Sequence, residues 1–165
     1  MRVKQLAAAL LITAITFSAC EKRNVAEGTE TATITMSGAQ EVPPNNSSAT
    51  GTINAVYDRS TRTLTYSASW SNLTDTLTGM HIHGPADPGS NAGILQNIIA
   101  SGSVSGGATL YNPGSAFIRS GSISGRVLMD NVKLFENDLL AGKYYINVHS
   151  KAFPGGEIRG NLIFQ

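Results

Sequence analysis

Apolar and polar residues alternate along much of the chain after residue 30. In Arg62–Trp70 the apolar side chains occupy every second position, and the residues between them are Thr and Ser. A period of two predicts a β-strand with one face in a core and the other toward solvent. Seven further segments have the length and composition of strands: Thr31–Gly38, Ala49–Tyr57, Leu77–Gly84, Ile94–Ile99, Ser122–Met129, Tyr144–Ser150 and Glu157–Phe164.

One segment departs from the alternating pattern. Asn131–Ala141 places Val132, Phe135 and Leu139 at helical spacing, and Gly142 follows as a residue suited to ending a helix. We therefore predict an all-β domain with one short helix near residues 131–141. Its architecture would be an antiparallel β-sandwich or a flattened Greek-key-like barrel of about eight strands.

The first twenty residues have the order of an export signal. Arg2 and Lys4 precede the apolar run Leu6–Phe17, which is shorter than the roughly 20 residues that span a bilayer. Two small residues then precede Cys20, an arrangement that resembles the cleavage site of a bacterial lipoprotein. The alternative is an ordinary signal peptide beside an unmodified cysteine.

These features divide the chain into three parts. We predict a lipoprotein signal peptide over residues 1–19, a lipidated Cys20 with a flexible tether over residues 20–30, and a folded domain over residues 31–165. The protein would then be anchored to a membrane of the bacterial cell envelope and would face the periplasm or the exterior.

The composition excludes several classes of function. The chain of 165 residues has 12 Lys and Arg against 11 Asp and Glu, and two of the basic residues lie in the predicted signal peptide. So balanced a charge offers no footprint for nucleic acid. A single cysteine excludes a disulfide framework and a Cys-rich zinc site. The partners that remain are the membrane, through the lipid on Cys20, and an unidentified protein, glycan or small ligand.

Histidines provide the candidate chemistry. His81 and His83 lie two residues apart on one predicted strand, and His149 lies on another, facing away from the apolar positions of its strand. If the two strands are close, the three imidazoles converge on one ion, and imidazole suits copper and zinc. The alternative is structural: the rings hydrogen-bond loop carbonyls and hold no metal.

Glu157 follows a Pro/Gly turn and is the weaker candidate ligand. It is either a fourth ligand or an acceptor for an imidazole N–H. The alternative interpretation, which the sequence favours, is a solvated carboxylate or one paired with Arg159.

Five motifs occur in a fixed order along the chain: GAQEVPP over 38–44, Ala49-x-Gly51, HIHGPA over 81–86, LAGKYYINVH over 140–149 and FPGGEIRG over 153–160. Together they resemble the CHRD domain, the module named after chordin. Besides the histidines, the motif positions are Gln40, Glu41, Pro43, Pro44, Gly84, Pro85, Asn147, Phe153, Pro154, Gly155, Gly156 and Arg159. The resemblance implies an extracellular all-β module, found in chordin within an antagonist of growth factors, and it implies no reaction.

The histidine pattern is also loosely similar to the copper half of Cu,Zn superoxide dismutase. Carried over, the similarity would make His81, His83 and His149 copper ligands. The chain has no fourth histidine to bridge two metals, none for a zinc subsite and no second cysteine for a disulfide. The similarity therefore implies a mononuclear site at most.

Three functions follow from these features. The leading hypothesis is an envelope-anchored, non-enzymatic module that binds a ligand or partner and has a candidate three-His site for copper or zinc. The second is a copper-dependent redox enzyme with a mononuclear site similar to that of superoxide dismutase. The third is a structural or adhesive surface module.

Overall fold

The computed structural model describes residues 28–99 and 119–165. The predicted signal peptide, Cys20 and most of the tether lie outside the described residues. The strands are β1 (Thr29–Ser37), β2 (Thr50–Asp58), β3 (Thr63–Ser71), β4 (Leu77–His83), β5 (Ile94–Ile99), β6 (Gly121–Leu128), β7 (Tyr145–Ser150) and β8 (Ile158–Asn161). A 3₁₀ turn spans Gly38–Gln40, and the helix α1 spans Glu136–Leu140.

All eight predicted strands are present, and every pairing between them is antiparallel. They form one sheet in the order β5-β4-β7-β8-β1-β2-β3-β6, curved into a nearly closed barrel or sandwich. The predicted all-β class is therefore confirmed. The order also places β7 between β4 and β8, so the two histidine-bearing strands are neighbours.

The alternation in the sequence places the core as predicted. On β3, Leu64, Tyr66, Ala68 and Trp70 are buried, whereas Thr65 and the two serines that follow at alternate positions are exposed. Met80 and Ile82 of β4 and Ile146 and Val148 of β7 join the same apolar cluster. The histidines on these two strands therefore point to the opposite side of the sheet.

Strand β1 begins two residues earlier than the pattern predicts. Thr29 pairs with Asp58, and the Glu30 carboxylate accepts hydrogen bonds from Arg59 Nε and Nη2 at 2.9 and 2.7 Å. Thr29 and Glu30 thus belong to the sheet and not to a flexible tether. An ion pair across the strands adds order where the local sequence is polar.

The helix is shorter than the predicted segment of residues 131–141. The Asp130 carboxylate accepts hydrogen bonds from the backbone N–H groups of Val132, Lys133 and Leu134 at 2.9–3.0 Å. This competes with helical bonding and folds the first residues into a turn. Gly142 has a φ of 70°, as expected of the residue after a helix C-cap.

Among the described residues, no helix has the length and apolar character needed to cross a membrane.

Candidate metal centre

The three histidines project from two adjacent strands on the outer side of the sheet. In the β4–β7 pairing, His81 is opposite Asn147, His83 is opposite Tyr145 and Gly79 is opposite His149. Side chains on paired positions share a face, and neighbouring pairs are within reach of one another. The predicted convergence of His81, His83 and His149 is therefore confirmed.

The imidazoles are close enough for one ion. One nitrogen from each ring lies within 4.8 Å of the other two, and His81 Nδ1 is 3.0 Å from His149 Nε2. Ligands at 2.0–2.1 Å from a metal with angles of 90–109° are about 2.9–3.4 Å apart. The His81–His149 pair already has this spacing.

Loop carbonyls fix the proton on two of the rings. His83 Nδ1 is 2.9 Å from the carbonyl oxygen of Ala92, and His149 Nδ1 is 2.9 Å from that of Pro154. A carbonyl oxygen only accepts, so both Nδ1 atoms carry the hydrogen and both Nε2 atoms carry a lone pair. Within the described part of the chain, the buried His83 Nε2 has no hydrogen-bond partner.

The surroundings keep the rings neutral. Burial, followed by the neighbouring rings of His149 and His83, lowers the pKa of His81 to about 4. Burial also lowers the pKa of His83 and of His149, although the Ala92 and Pro154 carbonyls oppose the change. At neutral pH the cluster therefore presents lone pairs and no positive charge, which is the state that binds a metal.

The cluster is reached from the surface. A cavity of about 500 Å³ borders His81 and His149, and Lys151 and Pro154 line its other side. His83 lies deeper and is 8% exposed. An ion entering through this cavity would meet the two half-buried rings first.

Tyr145 and Arg159 support the deep side of the cluster. The Tyr145 ring stacks on His83 with ring centroids 4.9 Å apart, and Arg159 Cζ lies 3.4 Å from the Tyr145 centroid. Arg159 is 1% exposed and donates to the Ser90 carbonyl oxygen at 2.9 Å and to Asn91 Oδ1 at 3.3 Å. It therefore holds the loop that carries the carbonyl partner of His83.

Glu41 lies at the opposite end of the same polar region. It is 5% exposed, and burial raises its pKa to about 7, against the opposing effects of Arg159 and of a hydrogen bond from the Asn147 side chain. Gly156 has a φ of 131°, and a Cβ there would lie 2.5 Å from Glu41 Oε1 and 2.8 Å from Asn147 Nδ2. The backbone at this glycine closes directly over the two side chains.

Two motifs far apart in the sequence form one shallow surface. A cavity of about 270 Å³ is lined by Glu41, Pro43 and Pro44 from the first motif and by Phe153–Gly156 from the second. Gln40 lies just outside it and donates from Nε2 to the Thr35 carbonyl oxygen at 2.8 Å.

The remaining motif positions have structural surroundings. Gly84 is buried against Tyr144, where a Cβ would lie 2.3 Å from the ring, and Pro85 begins the exposed loop after β4. Glu157 is fully buried, and its Oε1 accepts hydrogen bonds from Ser47 Oγ at 2.6 Å and from the Thr74 backbone at 2.7 Å.

Glu157 therefore joins two connections between strands and is not a member of the imidazole group among the described residues. Burial would raise its pKa, but hydrogen bonds from Ser150, Ser47 and Thr74 outweigh that effect and lower it. Its carboxylate is accordingly an acceptor for backbone and hydroxyl donors.

The sequence predicted that the histidines converge, but it did not predict that Asn147 contacts His149 or that Tyr145 stacks on His83. The available signal was the outward facing of both residues on the strand of His149, since any outward residue beside a metal ligand is a candidate neighbour.

Comparison with known proteins identifies the family. A family model described as the CHRD domain matches residues 32–162, a range that includes all three histidines and every motif position given above. A search of curated proteins and a search of solved structures found no match. The resemblance seen in the five motifs is confirmed, and the chain belongs to the CHRD domain family.

Proposed function

We propose that this CHRD domain is a non-enzymatic metal-binding module of the cell envelope, in which His81, His83 and His149 hold one Cu(II) or Zn(II) ion. The observation that carries the proposal is the convergence of all 3 histidines of the chain, with ligand nitrogens within 4.8 Å of one another.

The hydrogen bonds of the cluster favour metal binding over a purely structural role. The Ala92 and Pro154 carbonyls each occupy one nitrogen of their histidine and leave the other directed at the neighbouring rings. Such bonds to the outer nitrogen orient a metal-binding imidazole and raise its basicity. The inner nitrogen of His149 can accept from His81 Nδ1, whereas that of His83 has no donor among the described residues and is free to bind a metal.

The proposal includes the location of the protein at the cell envelope. The apolar run before Cys20 and the small residues at its end support export and lipidation, and a lipid on Cys20 would hold the metal site beside a membrane. The domain would act there by binding an ion, and we expect no turnover of simple substrates.

Metal loading tests the proposal. Residues 21–165, purified without a His tag, are loaded with Cu(II) or Zn(II) and examined by elemental analysis, with electron paramagnetic resonance for the copper sample. We expect one ion per chain and nitrogen hyperfine structure from directly bound imidazoles. The His81→Ala/His83→Ala/His149→Ala variant should lose both.

The chain supplies a matched control on its other half. Thr65, Ser67 and Ser69 occupy equivalent outward positions on β3, and all three are exposed. Their triple Ala variant should bind metal like the wild type. Equal metal content in the wild type and the triple-His variant would make the histidines structural. Superoxide consumption by the copper form would instead favour the redox alternative.

A further inference from the structure

Asn147 lies among the three histidines and touches the cluster from the side of β7. It is paired with His81 across the strands, and its Oδ1 is 2.9 Å from His149 Nε2. It also acts on His83, because burial lowers the pKa of that ring and the Asn147 side chain opposes the change. At 3% exposed, Asn147 is almost completely withdrawn from solvent.

The lone pairs at this point exceed the hydrogens available to them. His149 Nδ1 donates to the Pro154 carbonyl, so Nε2 of the neutral ring only accepts. Nε2 faces two atoms, His81 Nδ1 at 3.0 Å and Asn147 Oδ1 at 2.9 Å. An amide oxygen also only accepts, so this second contact is not a hydrogen bond in the neutral protein. His81 Nδ1–H can donate to Nε2, but Oδ1 then gains no hydrogen from either ring. A cation between the rings and the amide would accept the lone pairs of Nε2 and Oδ1 at once.

Glu41 lies beside the Asn147 side-chain amide, on the side away from the histidines, and bears on the orientation of that amide. Asn147 Nδ2 and Glu41 Oε1 both border Gly156, at 2.8 and 2.5 Å from the position of a Cβ. Asn147 and the charge of Arg159 both favour the ionised form of Glu41, against the effect of its burial. When Glu41 is ionised, its carboxylate accepts from N–H and repels a carbonyl oxygen, which favours Nδ2 on the Glu41 side and Oδ1 toward the imidazoles.

We propose that Asn147 Oδ1 is the fourth donor of the metal centre and that Glu41 is the positioning residue that keeps the amide in this orientation. The inference rests on the proposed metal-binding function and adds its ligand set, three imidazoles and one neutral oxygen. Such a set suits Cu(II) and Zn(II). It also gives Glu41, a residue of the first family motif, the role of orienting a metal ligand.

Two variants of residues 21–165 test the donor and its support separately. Asn147→Val removes the oxygen and keeps the approximate volume of the side chain. Glu41→Met keeps the approximate length of the side chain and removes the carboxylate, so that the amide of Asn147 can turn either Oδ1 or Nδ2 toward the imidazoles. Copper and zinc affinities are measured by competition with a chelator, and copper samples in H₂¹⁷O report directly bound water.

We expect Asn147→Val to bind one ion at least about tenfold more weakly, and Glu41→Met to bind it about three- to tenfold more weakly. The Asn147→Val copper spectrum should gain ¹⁷O broadening, because water takes the position of Oδ1. Asn97 provides the matched control, since it is the exposed partner of His81 on the other neighbouring strand, β5. Asn97→Val should change neither affinity nor broadening.

The possible results separate the role of Asn147, the role of Glu41 and metal binding itself. Wild-type affinity and an unchanged spectrum in Asn147→Val would overturn the fourth donor while metal binding by the histidines stands. Wild-type affinity in a folded Glu41→Met variant would overturn the role of Glu41 alone. Failure of the wild type to bind either metal would overturn the proposed function and this inference together.

Discussion

The two halves of the sheet treat their outward residues differently. On β1, β2, β3 and β6 the outward positions are mostly Thr and Ser and stay in solvent, as at Thr65 and Ser67. On β4, β7 and β8 the outward positions include His83, Asn147 and Arg159, which are 8%, 3% and 1% exposed. The alternation of the sequence is the same in both halves, so it determines the direction of a side chain and not its exposure.

Loops account for the difference. Residues 84–93 hydrogen-bond His83, Tyr145 and Arg159, and the turn at Pro154–Gly156 covers His149 and Asn147. Covering polar groups costs free energy unless they find partners. Two atoms here have none among the described residues, His83 Nε2 and Glu41 Oε1. The covered half thus buries polar side chains on its outer face, whereas the outward residues described on β1, β2, β3 and β6 mostly stay in solvent.

The largest effect should come from removing the arginine that fastens the loop. Arg159→Ala deletes a buried guanidinium that donates to Ser90, Asn91 and Asn161 and leaves the Glu41 carboxylate without its opposing charge. We expect metal-free protein to lose about 3 kcal/mol or more of unfolding free energy. Urea denaturation measures it.

Arg126 is the control from the exposed half, since it lies on β6 and faces solvent. Arg126→Ala should change the unfolding free energy by no more than about 0.5 kcal/mol. Equal losses in the two variants would show that the covered half is no more dependent on its polar contacts than the exposed one.

The next largest effect concerns the turn over Asn147. Gly156→Ala adds a Cβ at 2.5 Å from Glu41 Oε1, on a backbone with a φ of 131° that disfavours L side chains. We expect a loss of about 2–3 kcal/mol in urea denaturation. The adjacent Gly155 has open space around a Cβ, so Gly155→Ala should be close to neutral. Comparable losses would mean that the turn does not close on these side chains.

A smaller effect should appear as a pH dependence. Because burial raises the pKa of Glu41 to about 7, its contribution to stability is fully present below the unfolded value of 4.5 and is lost as pH rises through 7. Glu41→Gln removes this loss. Between pH 5 and pH 8, the variant should gain on the order of 1–2 kcal/mol relative to the metal-free wild type, allowing for solvent screening.

Titration of the histidines does not affect the difference in stability between Glu41→Gln and the wild type. The pKa of His81 is lowered to about 4, chiefly by burial and then by His149 and His83, so its contribution is lost as pH falls, in the opposite direction. That change is common to the variant and the wild type and cancels in their difference. Parallel stability curves for the two proteins would contradict the raised pKa of Glu41.

The contrast between the halves also separates what the sequence predicts from what it does not. Period-two alternation predicted the strands and the side to which His81, His83 and His149 point, because both depend on local geometry. The setting of Glu157 and the contact between Glu41 and Gly156 depend on loops more than a hundred residues apart. Such contacts arise only when the sheet brings the loops together, and no local pattern encodes them.

The smallest effect should be found at a solvent-accessible ion pair, between Glu30 and Arg59. Glu30 and Arg59 are joined at 2.7 Å, but their side chains are 30% and 28% exposed. Solvent screens such a pair, and holding two long side chains costs entropy, so Arg59→Ala should remove about 0–1 kcal/mol. The loss should shrink further in 1 M salt, whereas the loss in Arg159→Ala should persist because Arg159 itself is buried. Urea denaturation at both salt concentrations would test this, and a salt-insensitive loss above about 2 kcal/mol in Arg59→Ala would place the exposed and covered halves in the same energetic class.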